Sequence, residues 1–328
     1  MRVTITGIAG FAGSHLADHL LAERGEGGPE VHGIVNPGHA TPNIAHLQDR
    51  IHLHPADMTN YASVRRALEA ARPERIYHLA ARASVAQAWQ NPERTLVDNI
   101  VMQLNLLRAV VELGLATRVL VVGSADEYGL VPSEELPVSE ATALRPLNPY
   151  AVSKIAQDFL GAQYHLGRGV HVVRVRPFNH LGPRQSTGYV APDFASQIAR
   201  IEAGLAEPVL RVGNLSARRD FTDVRDVVRA YRLALELGRP GAVYNIGSAR
   251  SHAIQEILDG LLVNSDVPVR VEQDPARMRP SDTPEVVCDC RLFCAATGWQ
   301  PRLALADSLR DVLEEWRAIV RRESARAP

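Results

Sequence analysis

TGIAGFAGSHL, residues 6–16, is the stretch on which the fold turns. Gly7, Gly10 and Gly13 stand between a short β-branched run (RVTITG, 2–7) and a segment with helical spacing (SHLADHLLAE, 14–23). Glycines in a strand-to-helix turn let backbone N–H groups approach a pyrophosphate, and the helix N-terminus adds partial positive charge. A glycine triplet alone can be only a tight turn. Here it opens a strand–helix–strand unit and reads as a dinucleotide-binding loop that includes Phe11 and Ala12.

Outward from that loop, strands and helices alternate. EVHGIV (30–35), RIYHLA (75–80), RVLVVGS (118–124) and VHVVRV (170–175) read as strands. NYASVRRALEAA (60–71) reads as an amphipathic helix behind a Thr59/Asn60 cap. A long helix is expected over 93–114, with Leu96, Ile100, Leu104, Leu107 and Val111 on one stripe, and another begins near 150. This rhythm implies a parallel sheet covered on both faces, with right-handed crossovers. The rhythm weakens after 177. Short strands (PVLRVG, VYNIG, VRVEQ) then mix with helices over 222–237, 252–264 and 303–322. The expected architecture is α/β: a doubly wound parallel sheet over 1–177, joined by chain from about 220–250. A smaller mixed α/β lobe, interleaved with it, covers 178–322.

The chain has 328 residues, 46% of them hydrophobic, and a net charge of −1. That balance gives no reason to expect nucleic acid or an acidic membrane surface as partner. No apolar run approaches the ~18 residues of a membrane span. The opening MRVTITGIAG lacks the long apolar region of a signal peptide, so a cytoplasmic protein is expected. Cys288, Cys290 and Cys294 are an odd set with no histidine nearby in sequence; they read as thiols, not as a disulfide framework or a metal site.

The end of the second strand normally reads the ribose. An acidic residue there favours NAD through the 2′-hydroxyl. This chain has Asn36, which neither repels nor clamps a 2′-phosphate, and residues 30–49 hold no arginine or lysine. NAD and NADP both remain open. Asp57, with Met58 beside it in HPADMTN, reads either as a contact to the adenine edge or as a helix-terminal carboxylate.

The chemistry lies in GSADEYG (123–129) and NPYAVSK (148–154). Asn148 can cap a helix and Pro149 suits its first position. A spacing of four then puts Tyr150 and Lys154 on one face. An ammonium beside a phenol should lower its pKa from about 10 and let it exchange a proton near neutral pH. Ser124, at the carboxyl end of a strand, can hold the same substrate oxygen or cap a turn.

With TGIAGFAG, HLAA (78–81), Asn99, GSADEYG, YAVSK and RDFTDVRD (219–226), the chain resembles the extended short-chain dehydrogenase/reductase family over essentially its whole length. The resemblance implies a Rossmann domain, a nicotinamide cofactor near Leu79, Ala80, Ala81 and Asn99, a nucleotide-sugar substrate and a homodimer built on a pair of helices. RPFNHLGPRQSTGYVAPDFASQI (176–198), RMRPSDTPEV (277–286) and TGWQPRLALADSL (297–309) resemble, within that family, GDP-6-deoxy-D-mannose reductases. Arginine forks bind diphosphates, so Arg219 and Arg279 are the matched candidates, with Arg184 less well matched. Asn179 can donate to phosphate or sugar. Ser84, Val85 and Trp89 fall where relatives line the hexose pocket. His180 reads as a packed histidine rather than a base.

The expected reaction is reduction of the C4 ketone of a GDP-linked 4-keto-6-deoxyhexose to GDP-D-rhamnose with NAD(P)H. A dehydratase or epimerase on the same scaffold is the alternative, and a non-catalytic dinucleotide-binding regulator the second. Related dehydratases carry a threonine followed two residues later by a glutamate, some with an aspartate between. Ser124, Ala125 and Asp126 stand at those places, so an acid is missing and the other is one methylene shorter. Glu127 should point to the opposite side if the loop is extended.

Overall fold

The computed structural model describes residues 1–22, 28–278 and 283–325. The first half contains β1 (Arg2–Thr6), α1 (Phe11–Ala22), β2 (Glu30–Val35), β3 (His52–Pro55), α2 (Tyr61–Ala71), β4 (Arg75–His78), α3 (Val85–Gln90), α4 (Pro92–Glu112), β5 (Arg118–Val122), α5 (Pro149–Arg168) and β6 (His171–Pro177). The second contains β7 (Asn179–Leu181), α6 (Val190–Glu202), β8 (Val209–Val212), β9 (Arg218–Asp223), α7 (Val224–Leu237), β10 (Val243–Ile246), β11 (Ser251–Ala253), α8 (Ile254–Leu262), β12 (Arg270–Gln273), β13 (Glu285–Val286), α9 (Arg291–Thr297) and α10 (Leu305–Ser324).

Seven parallel strands form one sheet in the order β10-β6-β5-β4-β1-β2-β3. In β5, Val119, Leu120 and Val121 are all fully buried. Continuous burial without alternation is what a strand covered on both faces requires. Each such aliphatic side chain contributes roughly 1.5–3 kcal/mol by leaving water. Leu16, Leu20, Val227 and Tyr231 of α1 and α7 pack on one face with Val3 and Ile5. Val64, Leu68, Leu106 and Val110 of α2 and α4 pack on the other with Ile76 and Val119. The chain runs outward from β1 to β3, then returns to β4. Strand order therefore reverses between β1 and β4, and a crevice opens at their carboxyl ends.

The stripe on α4 is divided: Leu107 is buried but Leu104 and Val111 are exposed, whereas Thr95, Asn99, Gln103, Leu106 and Val110 are buried. Polar residues can face inward here because α5 satisfies them: Gln103 Nε2 donates to Gln157 O at 2.5 Å, and Gln157 Nε2 donates to Asn99 O at 2.9 Å.

Beyond β6, β9 pairs with β7, β11 and β13 in a second sheet, and β8 pairs with β12. Phe194, Ile198, Leu258, Leu261, Leu309 and Leu313 of α6, α8 and α10 form the core beside them.

Candidate functional site

Backbone geometry explains two of the three glycines after β1. Gly7 has φ +69°, and a Cβ there would stand 3.0 Å from the Ala80 backbone. A Cβ on Gly13 would stand 2.3 Å from Gly7 O. The loop thus folds tightly on itself and on the end of β4. Gly10 N–H donates to Gly7 O at 2.9 Å, and Ser14 N–H donates to Gly10 O at 3.0 Å, starting α1. Phe11 stacks on His180, with ring centres 5.7 Å apart.

Beside this loop lies a cleft of about 410 Å³. The ends of β1, β2, β3 and β4 bring Gly7, Asn36, Asp57, Met58, Ala80 and Ala81 to its wall. A glycine cradle that a Cβ would fill, next to a crevice of this size, fits the adenosine end of a dinucleotide. Thr6 fastens the β4 end: its Oγ1 accepts the N–H groups of Leu79 and Ala80, each at 3.1 Å. Asn99 is fully buried one layer behind. Its Oδ1 accepts the Arg82 N–H at 2.7 Å and its Nδ2 donates to Ser153 Oγ at 2.9 Å, so it braces the wall. Asp57 Oδ1 accepts the Thr59 N–H at 2.8 Å, while Asn60 caps α2. Sequence reasoning missed three charged residues of the wall. Arg82 Nε donates to Asp98 at 2.5 Å, and Arg94 lies 3.6 Å from the same carboxylate. They share the cleft with Asn36 because β4 and β2 flank β1 in the sheet, which no local pattern discloses.

At the other end of the crevice, α5 starts as expected: Asn148 accepts the Ala151 N–H at 2.8 Å and Pro149 follows. Tyr150 and Lys154 are both buried, with Lys154 Nζ 5.9 Å from the Tyr150 ring centre. Ser124 lies near enough to the Tyr150 phenol to act on its pKa. The three residues therefore meet. The expected lowering of the phenol pKa is corrected. Burial pushes Tyr150 well above its ordinary value, the Asp126 charge adds to this, and Ser124 opposes it. Lys154 is pushed down to about 8 by burial, against the pull of Glu127, and donates to Val122 O at 2.8 Å. His78 is pushed down to about 3 by burial and by Lys154, and is neutral.

The GSADEYG loop is not extended. Ala125–Glu127 form a 3-10 turn in which Ser124 Oγ accepts the Asp126 N–H at 3.2 Å. Helical turning, rather than strand alternation, carries Glu127 inward to complete burial, and its Oε1 accepts the Ser124 N–H at 2.8 Å. Ser124 is thus a turn cap as well as a neighbour of Tyr150.

The remaining candidates are dispersed. Asn179 is exposed at the start of β7, beside Phe221 of β9. Arg219 lies on β9, and its Nη1 donates to Arg218 O at 2.7 Å. Adjacent Asp220 turns inward instead, accepting from Ser248 N–H at 2.7 Å and Cys288 N–H at 3.1 Å. Arg184 has φ +69°, and its guanidinium pairs with Asp18 of α1 at 2.6 Å. Ser84 caps α3 by accepting the Gln87 N–H at 3.2 Å. Trp89 is 61% exposed and is not core. Arg279 lies outside the described residues. Among the described residues there is no cluster of three or more metal-ligating side chains, and no helix is long and apolar enough to cross a membrane.

Residues 4–312 match the family model described as GDP-mannose 4,6 dehydratase. A GDP-6-deoxy-D-mannose reductase from Pseudomonas aeruginosa is 36% identical over 98% of this chain and 99% of its own length. The structure of RMD from Pseudomonas aeruginosa complexed with NADPH aligns with a TM-score of 0.85 at 33% identity, covering 97% of this chain and 100% of that one. Thermus thermophilus UDP-glucose 4-epimerase in complex with NAD aligns with a TM-score of 0.84 at 29% identity, covering 97% of this chain and 99% of that one.

Proposed function

The chain belongs to the GDP-mannose 4,6-dehydratase family of NAD(P)-dependent extended short-chain dehydrogenase/reductases, and from that premise we propose that it reduces the C4 ketone of GDP-4-keto-6-deoxy-D-mannose to GDP-D-rhamnose. The observation that carries this reading is the meeting of Ser124, Tyr150 and Lys154 at the carboxyl edge of β5, with the phenol held in its protonated form. A reduction must begin from a loaded proton donor.

The cradle of Gly7, Gly10, Phe11, Ala12 and Gly13 holds the dinucleotide, with Asn36 at the ribose and Asp57, Met58, Leu79, Ala80, Ala81 and Asn99 along the cleft. When bound, the reduced nicotinamide supplies a hydride. Ser124 Oγ donates to the ketone oxygen and orients it. Tyr150 delivers its proton to that oxygen, and Lys154 as an ammonium stabilises the phenolate left behind. Asn179, Arg219, Arg279 and Arg184, with Ser84 and Asp126, take the nucleotide sugar. Residues 1–177 with β10 form the dinucleotide lobe and 178–322 mainly the sugar lobe.

Elimination needs acids that this loop does not present in full. Ala125 carries none, and Glu127 is turned away into the interior. Val97, Leu104 and Val111 of α4 and Val152, Phe159 and Leu166 of α5 are exposed apolar groups on helices that pack together. They support a homodimer in which these pairs form a four-helix interface; light scattering that gave a monomer at micromolar concentration would remove that part of the proposal. A cytoplasmic location accords with three free cysteines.

The test is cofactor consumption with the 4-keto sugar, followed by chromatography of the nucleotide sugars. A reductase oxidises one NAD(P)H per ketone lost. A dehydratase or epimerase consumes none, and a regulator turns nothing over.

A further inference from the structure

Behind Ser124 sits a buried carboxylate for which ketone reduction as described has no use. Glu127 Oε2 lies 3.0 Å from Arg176 Nε. Asp158 accepts from the same guanidinium at Nε (2.8 Å) and Nη2 (2.5 Å) and from Arg174 at 2.7 Å, while Arg176 Nη1 donates to Tyr128 OH at 3.0 Å. The place for the Glu127 carboxylate exists because residue 123 has no side chain: a Cβ on Gly123 would stand 2.2 Å from Oε1. Glycine at the end of β5 is thus explained by the glutamate four residues later. The charged and titratable neighbours are Lys154, Tyr150 and Asp158 of α5 and Arg176 of β6. Lys154 in turn acts on His78 of β4, Tyr128 acts on Arg176, and Arg176 acts on Glu140.

We propose that Glu127 is a positioning residue for the reduction: its carboxylate fixes the backbone that presents the Ser124 hydroxyl, and its negative charge helps to keep Lys154 an ammonium. Lys154 is pushed down to about 8 by burial, and Glu127 opposes that loss of charge. Burial and Asp158 push Glu127 up, while Arg176, the Ser124 N–H and Lys154 hold it down. A negative Glu127 opposes the loss of the proton from Lys154 as pH rises.

This inference rests on the reductase reading. Its test is Glu127→Gln, with kcat and KM followed from about pH 6 to about pH 10. The amide oxygen still accepts the Ser124 N–H, but as a neutral and weaker acceptor. At pH 7, kcat should fall about threefold while KM stays within about twofold. The alkaline limb of kcat should move down by about one pH unit. Glu127→Asp keeps the charge and loses reach, so kcat should fall at every pH while the limb stays in place. Glu134→Gln, on the exposed part of the following loop, should move neither. NADPH affinity, titrated by fluorescence without sugar, reads the Lys154 charge independently of turnover, and should fall off at lower pH in Glu127→Gln than in wild type. A wild type that binds NADPH but reduces no ketone overturns the reductase reading, and the fluorescence arm still decides the role of Glu127. A folded Glu127→Gln whose limb and binding curve coincide with wild type overturns the inference, as does a limb displaced by Glu127→Asp.

Discussion

Tyr150 and Lys154 are buried and tied into the interior, whereas Asn36, Asp57 and Arg94 stand exposed at the rim of the same crevice. At the chemical end, Ser124 is held by its turn, Lys154 by Val122 O, and Glu127 by Arg176. At the adenosine end, the charged groups pair with one another along the wall, Arg82 and Arg94 sharing Asp98. Burial fixes geometry and amplifies charge, because there is little water to screen or replace a lost partner. Rim charges are screened, and each is worth about 0–1 kcal/mol. Substitutions at the two ends should therefore differ by orders of magnitude, and differ in kind: kcat at one, cofactor choice at the other.

The sharpest way to break this contrast is Tyr150→Phe. It removes the proton donor without changing packing volume greatly, and should cost roughly 10²–10⁴-fold in ketone reduction by stopped-flow NADPH oxidation. A loss of less than tenfold would mean that another group donates the proton. Next comes pH. Lys154 acts as a cation and its pKa is lowered to about 8, so activity is present below that pH and is lost as pH rises through it, about tenfold per unit beyond. A profile flat to pH 10 would separate Lys154 from the reaction. At the rim, NADH and NADPH should support reduction within about tenfold of each other, and Asn36→Asp should shift the ratio toward NADH by about tenfold, ~1.4 kcal/mol. A thousandfold preference in the wild type would transfer ribose reading to other residues, Arg82 and Arg94 first. The smallest effect belongs to Asp126→Asn, which should retain reduction within about threefold. With GDP-mannose and no added reductant, chromatography should detect no 4-keto-6-deoxy product; its accumulation would make Asp126 a working base and the chain a dehydratase.

The contrast also governs what the sequence discloses. The phosphate loop and the Asn148-Pro149 start of α5 are local devices, legible because a turn or cap is written in adjacent residues. Tyr150 and Lys154 are legible by helical spacing alone. The pKa of Tyr150 is not, because burial and Asp126, rather than the nearby lysine, dominate it. The inward face of α4 is not legible, because Asn99 and Gln103, polar residues, are buried against α5 while Leu104 and Val111 are left outside. Glu127 does point away, but through a helical turn capped by Ser124 rather than through strand alternation. Arg82 and Asp98 escaped because their place at the cleft follows from strand order, which no segment of sequence carries by itself.

The stacking of Phe11 on His180 has a mechanical side. His15, one turn further along α1, hydrogen-bonds Pro183 O at 2.9 Å, and Arg184 pairs with Asp18 one turn beyond that. Three rungs on one helix thus rivet the dinucleotide loop to the chain that leaves the large sheet for the second one. Prising the two sheets apart at this seam would break all three rungs together. Like the stitching of a book's spine, the seam spreads its hold over successive turns of one helix.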